Sequence, residues 1–181
     1  MRLDRSGNTV PMFPRAVHYV QRNAIREAVG QNVRLQSWYP DTVEVVSALT
    51  EKGLLHALQG DTEILPGLDV VLTGGPSLGH QIVLINDGGG TTLHAGNLFP
   101  TWHHLSPSCI PNYDLNPEDS LRLKKQYRER VITEQMRVIF PSGDLNATAG
   151  HQSVHAAYLE MRRDDQGEDR ISIRSVNLTS A

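Results

Sequence analysis

The chain has 181 residues, 39% of them hydrophobic and 20% charged, with a formal net charge of −3. That is enough for one ordinary globular domain that buries about two-thirds of its unfolded surface, and it is far from a disordered composition. A mildly acidic balance excludes bulk attraction to nucleic acid or to an anionic membrane.

Residues 1–15, with Gly, Asn, Ser and two prolines, read as an N-terminal arm. This start has basic residues but no apolar h-region, so no secretory signal is expected. Ala16–Gln21 alternates apolar and polar and predicts a strand, and Arg22–Val29 a short helix stopped by Gly30. Gln31–Asp41 reads as a connector. Thr42 is placed to cap a helix through Glu51 with Val45, Val46 and Leu49 inward, and Gly53 ends it. Leu54–Gln59 and Leu68–Leu72 predict strands, the second after the turn signal Pro66-Gly67. Gln81–Ile85 reads as a buried strand turning through Asp87-Gly88-Gly89-Gly90 into Thr91–His94.

Asn116 is a good N-cap, Pro117 suits a first turn, and Glu118 and Asp119 favour the positive end of a helix dipole. Leu123, Tyr127 and Val131 then mark a buried stripe, with Lys124, Lys125, Arg128 and Arg130 assigned to the wet face. Arg137–Phe140 predicts a strand closed by Pro141, His151–Met161 a second helix, and Ile171–Val176 a last exposed strand. The class is α/β, in three parts: the arm at 1–15, a domain at 16–163, and a C-terminal strand or tail at 164–181. No apolar run approaches the ~18 residues of a membrane span. Cys109 is alone, which excludes an intrachain disulfide and fits a cytoplasmic setting.

Eight histidines raise the question of a metal. His103 and His104 are adjacent and diverge in a strand, and His151/His155 have the i,i+4 spacing without the Glu of an HExxH motif. Thr73–Gly79 lacks the Lys-Ser/Thr ending of a phosphate loop, Ser77 has no GxSxG elbow, and Cys109 has no partner spacing for a thiol nucleophile. The basic run Arg122–Arg130 is read as a solvated helix face.

The segment Thr73–Leu105, TGGPSLGHQIVLINDGGGTTLHAGNLFPTWHHL, carries most of the information. Its frame of Thr73, Gly75, Gly79, His80 and Gln81, then Gly96, Leu98, Pro100 and Thr101, resembles the metal-binding middle of metallo-β-lactamase-fold hydrolases. There, a TPGHTPGHQ-like loop precedes a strand, a Gly-Asp pair and an LxPT-like stretch. Three further stretches resemble the same family in the same order: PMFPRAVHYVQRNAIREA (11–28), GDTEILPGLDVVLTGG (60–75) and YDLNPEDSLRLKKQYRERV (113–131).

At the ligand positions, however, Pro76 stands for a zinc-binding His and Asn97 for the bridging Asp. The HxHxDH motif is not found, and the region of the last His reads Phe140-Pro141-Ser142-Gly143-Asp144. The resemblance implies an incomplete αββα sandwich lacking its N-terminal strands, with a vestigial cleft near Pro76, Ser77, His80, Asn97 and His104. It implies no catalytic residue and no cofactor. The expected role is that of a structural or binding pseudoenzyme subunit, with a protein partner or self-association covering the open sheet edge. The alternative is a zinc-type, metal-dependent hydrolase whose missing ligands come from another chain or an absent segment.

Overall fold

The computed structural model describes residues 2–3, 7, 9–30, 41–141 and 157–175. Its backbone groups into two compact units, 1–61 and 62–181, each taken by itself.

In the first unit, β1 (Arg2–Leu3) pairs antiparallel with β2 (Thr9–Val10). β3 (His18–Gln21) and β4 (Leu55–Leu58) lie parallel. Parallel neighbours need a long crossover, and here it contains α1 (Arg22–Val29) and α2 (Thr42–Glu51). Both helices lie where the apolar periodicity put them, but the expected cap differs. Asp41, in the left-handed region at φ 62°, is the N-cap of α2, and Thr42 is its first helical residue. Gln21 at the end of β3 is 1% exposed, and its amide satisfies the Gly60 backbone twice: Nε2 donates to the carbonyl at 2.9 Å and Oε1 accepts the N–H at 3.0 Å. The connector at 31–40 lies outside the described residues.

The second unit, among the described residues, is a seven-stranded sheet whose strands run in the order Asp169–Ser175, Ala157–Arg163, Arg137–Ile139, Thr91–His94, Gln81–Asn86, Leu68–Leu72, Thr62–Leu65. β5 (Thr62–Leu65), β6 (Leu68–Leu72), β7 (Gln81–Asn86) and β8 (Thr91–His94) form an antiparallel meander. α3 (Pro117–Thr133) carries the chain across to β9 (Arg137–Ile139), which pairs parallel with β8. β10 (Ala157–Arg163) and β11 (Asp169–Ser175) complete the sheet as an antiparallel hairpin. Gly67 makes the β5–β6 turn at φ +79°, where a Cβ would stand 2.5 Å from the Asn86 carbonyl oxygen. Alternating strand residues Ile82, Leu93, Val138, Leu159 and Met161 pack with Leu123, Tyr127 and Val131 of α3 into one core. Each such side chain contributes on the order of 1.5–3 kcal/mol by leaving water.

Two sequence expectations fail here. The helix predicted over His151–Met161 is β10 from Ala157 onward, and the residues before Ala157 are not described. Leu159 and Met161 are buried while Arg162 is exposed, a period of two that pairing with Val138 and Arg137 on β9 selects over a helical period. Lys124, assigned to the wet face, is fully buried. It follows Ser120 by four residues, and Tyr127 follows it by three, so one stripe of α3 carries Ser120, Lys124, Tyr127 and Val131 into the core. No helix among the described residues is long and apolar enough to cross a membrane.

Candidate functional site

The loop between β6 and β7 is closed on itself and stitched to the start of α3. The Thr73 N–H donates to the His80 carbonyl at 2.9 Å and the His80 N–H to the Ser77 carbonyl at 3.1 Å. From the other side, the Leu115 N–H donates to the Pro76 carbonyl and the Asn116 N–H to the Gly75 carbonyl, both at 3.0 Å. Asn116 holds the predicted N-cap position, yet its side chain makes no capping bond. Its Nδ2 donates instead to the Gly74 carbonyl at 3.0 Å. Gly75 lies against α3 so closely that a Cβ would sit 2.6 Å from Ser120 Oγ and 2.9 Å from its backbone nitrogen.

His80 ends the loop, and its ring is committed at both nitrogens. The Asn97 backbone N–H donates to Nε2 at 2.8 Å, so Nε2 carries no proton. Nδ1 then bears the proton and donates to Thr73 Oγ1 at 2.5 Å, while that hydroxyl donates to the His80 carbonyl at 3.1 Å. Burial, with a smaller contribution from nearby His94, lowers the His80 pKa to about 4. Gly96, at φ +53°, makes the close approach: a Cβ there would meet Nε2 at 2.7 Å.

The other residues of the expected cleft separate into different surroundings. Pro76 and Ser77 are buried within the loop, and the Asn97 side chain is exposed on the single turn Gly96–Leu98. His104 lies in the turn Trp102–Leu105, its Nδ1 2.9 Å from Thr101 Oγ1, while His103 stacks on Trp102. The His104 pKa is lowered by burial first, then by the charges of Lys124 and His103. Beneath this turn lies a buried polar cluster that sequence reasoning did not assemble. Ser120 Oγ donates to Asp114 Oδ2 at 2.5 Å, and Lys124 donates to the Cys109 carbonyl and lies over the Phe99 ring. Burial raises the Asp114 pKa and lowers that of Lys124. The clue in the sequence was Ser120 and Lys124 standing on the same stripe as Tyr127 and Val131.

The donor chemistry at the two ligand positions does not fit a hydrolytic zinc or iron centre. Such centres take imidazole nitrogens and a charged, bridging carboxylate. Proline has no side-chain donor, and asparagine offers a neutral carbonyl oxygen. His80, whose ring meets the Asn97 backbone, already accepts that N–H at its one unprotonated nitrogen. Among the described residues there is no group of three or more His, Cys, Asp or Glu disposed to hold a metal. His151, His155 and Ser142–Asp144 lie outside those residues.

The sheet order, the loop running into β7 and the α3 crossover define a metallo-β-lactamase fold, and this chain is a partial, α/β member of that superfamily. It is similar to a probable metal-dependent hydrolase from Staphylococcus aureus, at 30% identity over 76% of this chain and 48% of that one, with a TM-score of 0.68. AidC, a dizinc quorum-quenching lactonase, matches at 12% identity over 98% of this chain and 60% of its own, with a TM-score of 0.63. AbOPH, a hydrolase of the β-lactamase superfamily, matches at 16% identity over 88% and 55%, with a TM-score of 0.61. The last two likenesses speak for the fold alone, and the chain spans about half the length of the structures it matches. No family model and no curated protein matches it.

Proposed function

We propose that this chain does not itself supply the hydrolytic metal centre of its fold and serves as a structural or binding subunit of a larger assembly. The observation that carries this reading is the donor set at the ligand loop: Pro76 without a donor atom, Asn97 exposed and uncharged, and His80 committed at both nitrogens. Without a bound metal, nothing at this loop would lower the pKa of a water toward ~7. The strands that end the described sheet, β5 and β11, support a partner or a second copy as the covering surface, because unpaired strand edges are templates for association.

A second reading is a metal-dependent hydrolase of the zinc type whose ligands come from another chain or from residues outside this sequence. The matched structures, which include a probable metal-dependent hydrolase and a dizinc lactonase, support this second reading more directly than they support a subunit role. Light scattering on the purified chain, run beside ester and lactone hydrolysis assays with added zinc, separates the two. An associated species that hydrolyses neither substrate class is expected. A stable monomer would overturn the subunit reading, and zinc-dependent turnover by the associated species would establish the second.

A further inference from the structure

We propose that His80 is a metal-independent latch, a positioning residue that fixes the Gly96–Asn97 turn to the end of the β6–β7 loop through a fixed Nδ1–H tautomer. In a metal centre of this fold, this is ground where coordination would hold loop and turn together. Here the same two pieces of backbone are held by hydrogen bonds alone.

Three observations converge on that role. The Asn97 N–H reaches Nε2 at 2.8 Å, which ties the turn directly to the ring. The Thr73 hydroxyl, itself anchored on the His80 carbonyl, accepts the hydrogen bond from Nδ1–H and leaves the ring one orientation. Gly96 leaves room for the contact, since any Cβ would stand 2.7 Å from Nε2 and 3.0 Å from the Gln81 carbonyl oxygen. The loop is further set from its far side by Leu115 and Asn116, again without any side chain that a metal would need. A metal at His80 could bind only by displacing Asn97 from Nε2 or by stripping the proton that Thr73 accepts. The inference holds whether the chain is a subunit or the framework of a completed hydrolase.

The test is solution NMR on the ¹⁵N-labelled 181-residue chain. The His80 ring should show the neutral Nδ1–H tautomer, unchanged by a stoichiometric addition of zinc chloride and by EDTA. Asn97 amide exchange should be protected in the native chain and in His80→Gln, whose Oε1 reaches the place of Nε2. In His80→Asn, whose shorter side chain meets Thr73 but not Asn97, exchange should be faster by about tenfold, the loss of one hydrogen bond. An Nε2–H tautomer, a zinc-induced shift of the His80 ring, or equal Asn97 protection in both variants would overturn the proposal. If either variant fails to fold, the tautomer and zinc titration of the native chain decide.

Discussion

Acid titration of His80 should cost this protein stability between pH 7 and pH 5. The folded-state pKa is depressed to about 4 from the ordinary imidazole value of 6.5. The unfolded chain therefore takes up a proton at a pH where the folded chain still resists it. The neutral-imidazole contribution is fully present above the unfolded pKa and is lost as pH falls from 6.5 toward 4. Integrated between pH 7 and pH 5, that shift corresponds to a loss of about 2 kcal/mol. Burial is the main cause, and protonation would also set two N–H donors, at Nε2 and Asn97, against each other. Urea unfolding followed by circular dichroism at pH 7 and pH 5, on the native chain and on His80→Gln, measures it. The non-titrating variant should lose about 2 kcal/mol less over that interval. His104, also depressed, contributes equally to both proteins and cancels. Equal losses in the two proteins would refute the assignment of a neutral, half-buried His80.

Other changes have definite expectations. Gly96→Ala places a methyl 2.7 Å from His80 Nε2 at a positive φ, and should cost roughly 2–3 kcal/mol in denaturant melts from backbone strain and a displaced hydrogen bond. Lys124→Met replaces a fully buried cation by an apolar chain of similar length but removes its hydrogen bond to the Cys109 carbonyl, and should cost about 1 kcal/mol at pH 7. Lys124→Ala leaves a cavity over Phe99 and should destabilise by roughly 2–5 kcal/mol. Leu93→Ala, at a position with no exposure in the central strand β8, should lower stability by roughly 2–5 kcal/mol in the same assay.

The elements of this fold were legible wherever the apolar period was strong and local. The α1 bounds, the meander from Leu68 to His94 and the start of α3 at Pro117 follow from alternation, glycine turns and first-turn acids. β10 was misread because Leu159 and Met161 become a core edge only when β9 lies beside them, which no local pattern states. Lys124 was misplaced for a related reason. A lysine is almost never buried unless paired, and its partner, the Cys109 carbonyl, lies 15 residues away along the chain. At the candidate site, the sequence revealed the substitutions at Pro76 and Asn97. It did not reveal that Asn97 would use its backbone N–H, rather than its amide, to reach His80. Backbone donors are the same in every residue, so only the folded turn at Gly96 exposes that one.

Elemental analysis of the 181-residue chain, loaded with excess zinc and then desalted, tests the central claim most directly. A loop with Pro76 and Asn97 at its ligand positions and His80 committed to Thr73 and Asn97 predicts a zinc content far below one ion per chain, with an unchanged melting temperature. Stoichiometric zinc that raises the melting temperature, and whose retention is abolished by His80→Gln, would contradict it.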